Sequence, residues 1–332
     1  MLGHKRSVGI LGVGSTLPEN IITNRDLETM VDTSSEWIIS RTGIRERHIA
    51  GPDIATSDLS LTAGRQALER AGIEAQELDL IIVATATPDM PFPSTACIVQ
   101  AALGANNAAA FDLEAACSGF LYGVAVAEQF ISSKTYDTAL VIGAETLSKI
   151  TNWSDRNTCV LFGDGAGACV LGPVSNDRGI LSHYLGADGR GKELLQIRGG
   201  GSRKPTSIDT VRQKLHYIEM QGAEVYKFAV RIMGEAALKA LQRSGLSRED
   251  VDFLVPHQAN HRIIKAVARR LRLPPEQVIV NVDRCGNMSA ASIPVALDEA
   301  IIAGRINADD ILVLVAFGGG LTWGATVIKW GT

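Results

Sequence analysis

The chain has 332 residues, 46% hydrophobic and 20% charged, enough apolar material for a large packed core in about two domains. A formal net charge of −4 gives no general attraction to nucleic acid, and no segment reads as membrane-spanning. Five cysteines, at 97, 117, 159, 169 and 285, are odd in number and lack CxxC spacing, which argues against a disulfide framework or a zinc site and for reduced thiols in the cytoplasm.

At the N-terminus, "HKRSVGILGVGSTLPEN" has a basic start and a short apolar run. Glycines break the run and no small-residue cleavage site follows, so it is predicted to be a buried strand and not a signal peptide. Residues 66–84, "QALERAGIEAQELDLIIVA", read as a helix, a glycine C-cap, an acidic turn and a buried strand. "EAACSGFLYGVAVAEQF" carries apolar residues at Phe120, Leu121, Val124, Ala127 and Ile131, the spacing of a buried helix, with Cys117 at its front. "TALVIGAE" is a predicted buried strand. "GDGAGA" (163–168) imitates a dinucleotide fingerprint, and "GADGRGKE" (186–193) has Walker A spacing but puts Glu193 where a magnesium-holding Ser or Thr belongs; both are predicted to be turns.

The second half repeats the first. "KALQRSGLSREDVDFLVPH" (239–257) matches 66–84 with Ala67/Ala240, Leu68/Leu241, Arg70/Arg243, Gly72/Gly245 and Asp79/Asp252 identical, each pair 173 apart (240 − 67 = 173). "NVDRCGNMSAASIPVALDEAI" (281–301) lies against 111–131 at an offset of 170 (287 − 117 = 170), which sets Asn287 opposite Cys117. "DILVLVAF" repeats "TALVIGAE", and "ILVLVAFGGGLTWGATVI" (311–328), without charge but broken by three glycines, is predicted to be two buried strands joined by a turn. The chain is therefore expected to be α/β, two related halves at 1–175 and 176–332, each a mostly buried sheet with crossover helices.

Cys117, His257 and Asn287 all fall where a strand hands over to a helix or loop, the place where α/β sheets put chemistry. A thiol at a helix N-terminus gains thiolate character from the unpaired N–H groups. By residue type alone the three fit a nucleophile with two hydrogen-bonding partners, and equally a buried Cys, a core His and an N-cap Asn. "HRIIKAVARRLR" (261–272) lines Arg262, Lys265, Arg269 and Arg272 along one helical face, without the interleaved aromatics of a nucleic-acid site.

"DTSSEWIISRTGIRERHI", "AACSGF", "FGDGAGA", "LVPHQANHRII", "GNMSAAS" and "AFGGGLTWG" together resemble β-ketoacyl-acyl carrier protein synthase III, in one register from about Gly9 to Trp330. The resemblance implies a thiolase-like fold, two halves in five αβαβα layers. It implies decarboxylative condensation of an acyl-CoA primer with malonyl-acyl carrier protein, initiating fatty-acid synthesis, with no metal or redox cofactor and coenzyme A thioester as substrate. Cys117 would be the acylated nucleophile, His257 and Asn287 would promote decarboxylation, and the N–H groups of Cys117 and Gly319 would form the oxyanion hole. Trp37, Arg41, Arg156 and Asn260 fall on coenzyme A positions, Trp37 and Arg156 flanking the adenine. Arg262, Lys265 and Arg269 would dock the acidic carrier protein. Phe92, in "PDMPFPSTAC", would line the acyl pocket of the other protomer in a homodimer. At Ala223 some relatives carry Asn, so one pantetheine contact is missing. Two alternative readings are a related condensing enzyme of polyketide or quinolone-type metabolism and a silent acyl-CoA or carrier-protein binding module.

Overall fold

The computed structural model describes residues 6–331 of the chain, so His4 and Lys5, at the start of the first predicted segment, lie outside the described residues. Nine strands form the two main sheets: β1 (Val8–Thr16), β2 (Leu80–Ala84), β3 (Ala109–Leu113), β4 (Ala139–Thr146), β5 (Asp164–Pro173), β6 (Gly179–Ala187), β7 (Phe253–Pro256), β8 (Ile311–Gly318) and β9 (Thr322–Lys329). The first sheet runs β1-β5-β4-β2-β3 and the second β7-β8-β9-β6. In the first, β2 pairs in parallel with β3 and β4, while β5 is antiparallel to both β4 and β1. The second copies this with β7 parallel to β8, and β9 antiparallel to β8 and β6.

Among the described residues seven α-helices have eight residues or more: α1 (Ser35–Thr42), α2 (Thr56–Ala71), α3 (Thr95–Leu103), α4 (Gly119–Ser132), α5 (Gly222–Arg243), α6 (His261–Leu271) and α7 (Ser292–Ile302). Helices α2 and α3 pack on the outer face of the first sheet, and α5, with α6 against it, on the outer face of the second. Between the sheets lie α4 and α7, which touch both. The result is five layers, αβαβα. A helix enclosed between two sheets must be apolar on most sides, which accounts for the near absence of charge in α4.

The repeat has a physical basis. Asp79 and Asp252 each enter a parallel strand and accept a hydrogen bond from the neighbouring strand's first N–H groups, Thr138 at 3.0 Å and Ile311 at 2.7 Å. Gly72 and Gly245 both stop a helix in the left-handed region, at φ 66° and 74°. The halves differ at the sheet edge, where the counterpart of β3 is reduced to a single bridge between Leu254 and Val278. The offset of 170 at Cys117 is corrected. Ala116 and Ser289 both stand at φ 44°, each opens a single 3-10 turn, and helices begin at Gly119 and Ser292. Both pairs are 173 apart (289 − 116 = 173), so Cys117 is structurally opposite Ala290, not Asn287.

A second correction concerns "GDGAGA", which is the start of β5 and not a turn. A Cβ on Gly167 would come within 2.7 Å of the Val295 nitrogen, so the glycine is there to let α7 lie against the strand.

Candidate active site

After β3 the chain turns sharply at Ala116, whose N–H donates to the Glu114 carboxylate at 2.9 Å. The Ala115 carbonyl accepts from the Ser118 hydroxyl at 2.8 Å and the Thr322 hydroxyl at 2.9 Å, which ties this turn to the start of β9. Cys117 follows, buried, with Gly318 against it: a Cβ there would stand 2.6 Å from the Cys117 nitrogen. Close backbone approach of this kind is open only to glycine. Gly319 and Cys117 both line a cavity of about 390 Å³, with Phe162, Leu195, Ile218 and Ser289 among its walls.

The expected thiolate is not what the surroundings favour. Cys117 does precede α4 by one 3-10 turn, but burial pushes its thiol up to about 12. The Ser289 hydroxyl works in the other direction, while the negative charges of Glu145 and Glu114 add to the rise.

His257 extends the β7 ladder by one residue, its N–H donating to the Val315 carbonyl at 2.8 Å. Its ring is buried, and Nδ1 lies 2.6 Å from the Ser292 hydroxyl. Burial lowers the ring to about 3, so it is neutral at physiological pH. Asn287 is fixed by its backbone, which donates to Leu161 O at 2.9 Å and accepts from Gly163 N at 3.0 Å. Its side-chain oxygen accepts from the Ser289 N–H at 2.9 Å, leaving the amide NH₂ as donors. Ser289 also accepts, through its carbonyl, from the Ser292 hydroxyl at 2.9 Å. One strained peptide thus orients Asn287 directly and His257 through Ser292, and it belongs to the cavity wall beside Cys117.

Gln258 braces the same region, fully buried, with its side chain bonded to Pro256 O, Ile279 O, Asn281 N and Val282 N. Sequence reasoning quoted Ser289, Ser292 and Gln258 within motifs but assigned them nothing, because serine and glutamine carry no signal apart from the groups they hold.

Of the candidates, only Cys117 and Gly319 line this cavity; His257 and Asn287 connect to its wall through Ser289, and the rest lie elsewhere. Arg156 stacks on Trp37 with its guanidinium 4.2 Å from the ring centroid, and it donates to Asp32 O at 2.8 Å. That spacing leaves no gap for an adenine between the two, so a base could be flanked only after Arg156 swings away. Asn260 joins the set by donating to Arg41 O at 3.0 Å, and its side chain also caps α6 through the Arg262 N–H at 2.8 Å. Arg262, Lys265 and Arg269 are exposed along α6, with the Arg262 guanidinium 4.9 Å from the Tyr226 ring centroid. Phe92 is 84% exposed on the loop before α3. Among the described residues no group of three or more His, Cys, Asp or Glu is placed to hold a metal, and no helix is long and apolar enough to cross a membrane.

Family models for 3-oxoacyl-[acyl-carrier-protein (ACP)] synthase III match residues 111–189, and for its C-terminal part residues 241–330. The beta-ketoacyl-[acyl-carrier-protein] synthase III of Desulfitobacterium hafniense is 61% identical over 324 residues, 98% of each chain. The chain belongs to this family. A second member, from Caldanaerobacter subterraneus subsp. tengcongensis, is 60% identical over 98% of this chain and 99% of its own. The crystal structure of 3-oxoacyl-[acyl-carrier-protein] synthase III from Aquifex aeolicus superposes with a TM-score of 0.91, at 47% identity, over 97% of this chain and 100% of that one. The protein is an acyl-transferring condensing enzyme with the thiolase-like fold, of the kind that initiates fatty-acid synthesis.

Proposed function

We propose that the protein takes an acyl group from acyl-CoA onto Cys117 and condenses it with malonyl-acyl carrier protein, giving a β-ketoacyl-carrier protein. The Cys117 sulfur attacks the thioester carbonyl and coenzyme A leaves. The malonyl group then loses CO₂, and negative charge develops on its thioester oxygen. His257, a neutral ring, and the Asn287 amide donate hydrogen bonds to that oxygen. For His257 to donate through Nε2, its Nδ1 must accept, and the Ser292 hydroxyl 2.6 Å away gives that bond by turning its single proton from the Ser289 carbonyl to the ring. The carbanion attacks the acyl-Cys117 carbonyl. The tetrahedral oxyanion is met by the Cys117 and Gly319 N–H groups, and its collapse frees the thiol.

The observation that carries this reading is the hold of the Ser289 N–H, itself in the wall of the Cys117 cavity, on the Asn287 oxygen, which leaves the amide NH₂ to donate. Trp37, Arg41, Arg156 and Asn260 would bind coenzyme A, and Arg262, Lys265 and Arg269 the carrier protein. The 84% exposure of Phe92 supports its insertion into a second copy of the chain in a homodimer. The five free cysteines fit a reducing cytoplasm. No cofactor enters any step.

The test follows adduct mass and CO₂ release separately. Asn287→Ala is expected to keep acylating Cys117 while losing about 10²–10³ in decarboxylation, the usual cost of one such donor. His257→Ala should show the same split. Blocked acylation with spared decarboxylation in Asn287→Ala would reverse the assigned roles.

A further inference from the structure

The cavity beside Cys117 is larger than an acetyl group needs, at about 390 Å³. Its inner wall is Leu147, Phe162 and Ile218, all buried and packed as one cluster with Ile150 and Leu195. Among the described residues the charged side chains that line it are Glu114 and Lys192, both exposed, which puts them at the rim. Apolar inside and charged only at the mouth, it has the make-up of a site for an apolar group.

Backbone bonds hold these walls in place. The Ile218 N–H donates to the Ile150 carbonyl at 2.9 Å, and Phe162 forms a bridge with Asn287. Ala86, a small wall residue, donates its N–H at 3.2 Å to the carboxyl group of Glu145 near the end of β4. Glu145 has no accessible surface and also accepts from the Thr87 hydroxyl at 2.7 Å. Space bounded in this way belongs to the packed fold and does not close when left unfilled.

Volume then decides how much acyl chain fits. A cavity of about 150 Å³ lined by Leu, Ile and Phe encloses benzene, a ring of six carbons. If Phe92 of a second copy enters at the rim, its ring takes a share of about that size, and more than half of the cavity remains. That remainder still exceeds the space a six-carbon group occupies. Acetyl would leave most of it empty, between walls that offer water few polar partners. A chain ending in a carboxylate would bring its charge among Leu147, Phe162 and Ile218, where nothing pairs it.

We propose that the primer carried by Cys117 is a neutral, apolar acyl group of about four to six carbons, taken in preference to acetyl. The proposal rests on the reading of Cys117 as the acyl acceptor.

The experiment gives the full-length protein acetyl-CoA mixed in equal amount with butanoyl-, hexanoyl- or succinyl-CoA, and reads the early adducts on the Cys117 peptide by mass. Butanoyl and hexanoyl should each exceed acetyl by about tenfold or more, the usual worth of a methylene in an apolar pocket. Succinyl, four carbons with a terminal charge, should fall well below butanoyl. Ile218→Trp fills the inner wall and should lower the hexanoyl-to-acetyl ratio by about tenfold or more. Ile150→Trp, in the same cluster, is the second variant should the first not fold. Both primers compete for the same molecules, so the ratio does not depend on how much of a variant is folded. Acetyl equal to or above butanoyl or hexanoyl in the wild type would overturn the proposal, as would succinyl taken as readily as butanoyl. So would a ratio that neither variant moves. A wild type that takes none of the four acyl groups on Cys117 would instead overturn the reading on which the proposal rests.

Discussion

Burial leaves Cys117 and His257 both uncharged at neutral pH, so the two groups form no ion pair in the resting protein. The cost of that arrangement depends on pH. His257 falls from an ordinary 6.5 to about 3, so the folded state binds fewer protons than the unfolded chain between those values. Its contribution to stability is complete above about 6.5 and is lost as pH falls towards 3. Glu145 works in the opposite sense: raised from 4.5 to about 7, it favours the folded state below 4.5 and loses that effect as pH rises through 7. His257→Asn removes only the first effect. Its unfolding free energy, measured by urea at a series of pH values, should therefore decline less steeply between about pH 6.5 and pH 4 than the wild type's. Equal slopes would show that the ring is not held neutral by burial. Cys117, His257 and Asn287 stood out in the sequence through family motifs, whereas the state of the thiol did not. A helix start suggests thiolate, and only the packing around Cys117 reveals that desolvation outweighs it.

The elements that carry the site are held by backbone contacts as close as atoms allow. A Cβ on Gly143, in β4, would stand 2.2 Å from the Ala290 carbonyl oxygen, in the turn that contains Ser289. Backbone cannot yield as a side-chain tip can, so Gly143→Ala must push that turn outward. It is expected to lower the unfolding free energy by about 1–3 kcal/mol and to reduce CO₂ release with it, since Ser289 orients Asn287. Gly51→Ala is the control: its nearest contact would be the Ile54 side chain at 3.8 Å, and it should be close to neutral. A neutral Gly143→Ala would mean that the two halves pack more loosely than described. Such glycines explain where sequence reading failed. In "GDGAGA" they suggested a turn, since the same residue serves left-handed φ and close approach, and the sequence does not say which. Glu145 escaped notice because an acidic residue at the end of an apolar strand reads as the strand's edge.

Across the whole molecule, the repeat was readable where the two halves keep the same physical task. Asp79 and Asp252 receive strand N–H groups, and Gly72 and Gly245 end helices. It was misread where the tasks diverge. One half places Cys117 in its strained turn and the other Ser289, which holds Asn287, and aligning the two segments as strand ends leading into helices shifted the register by three residues (173 − 170 = 3). The basic face of α6 is exposed and lies away from the cavity. Arg262→Glu is expected to weaken use of malonyl-carrier protein and to reduce its salt dependence, with acylation from acyl-CoA changed much less. Equal loss in both steps would assign Arg262 to coenzyme A or to folding. The Ala116–Ser118 turn is expected to present Cys117 as the acyl acceptor, while of the other four cysteines three are buried and Cys97 is exposed. The most direct test of this central claim is intact-mass and peptide mapping of the protein after exposure to acetyl-CoA. The predicted result is a single acetyl group, on the peptide containing Cys117, absent from Cys117→Ala; acetyl found on Cys97 or Cys285 with Cys117 free would contradict the account.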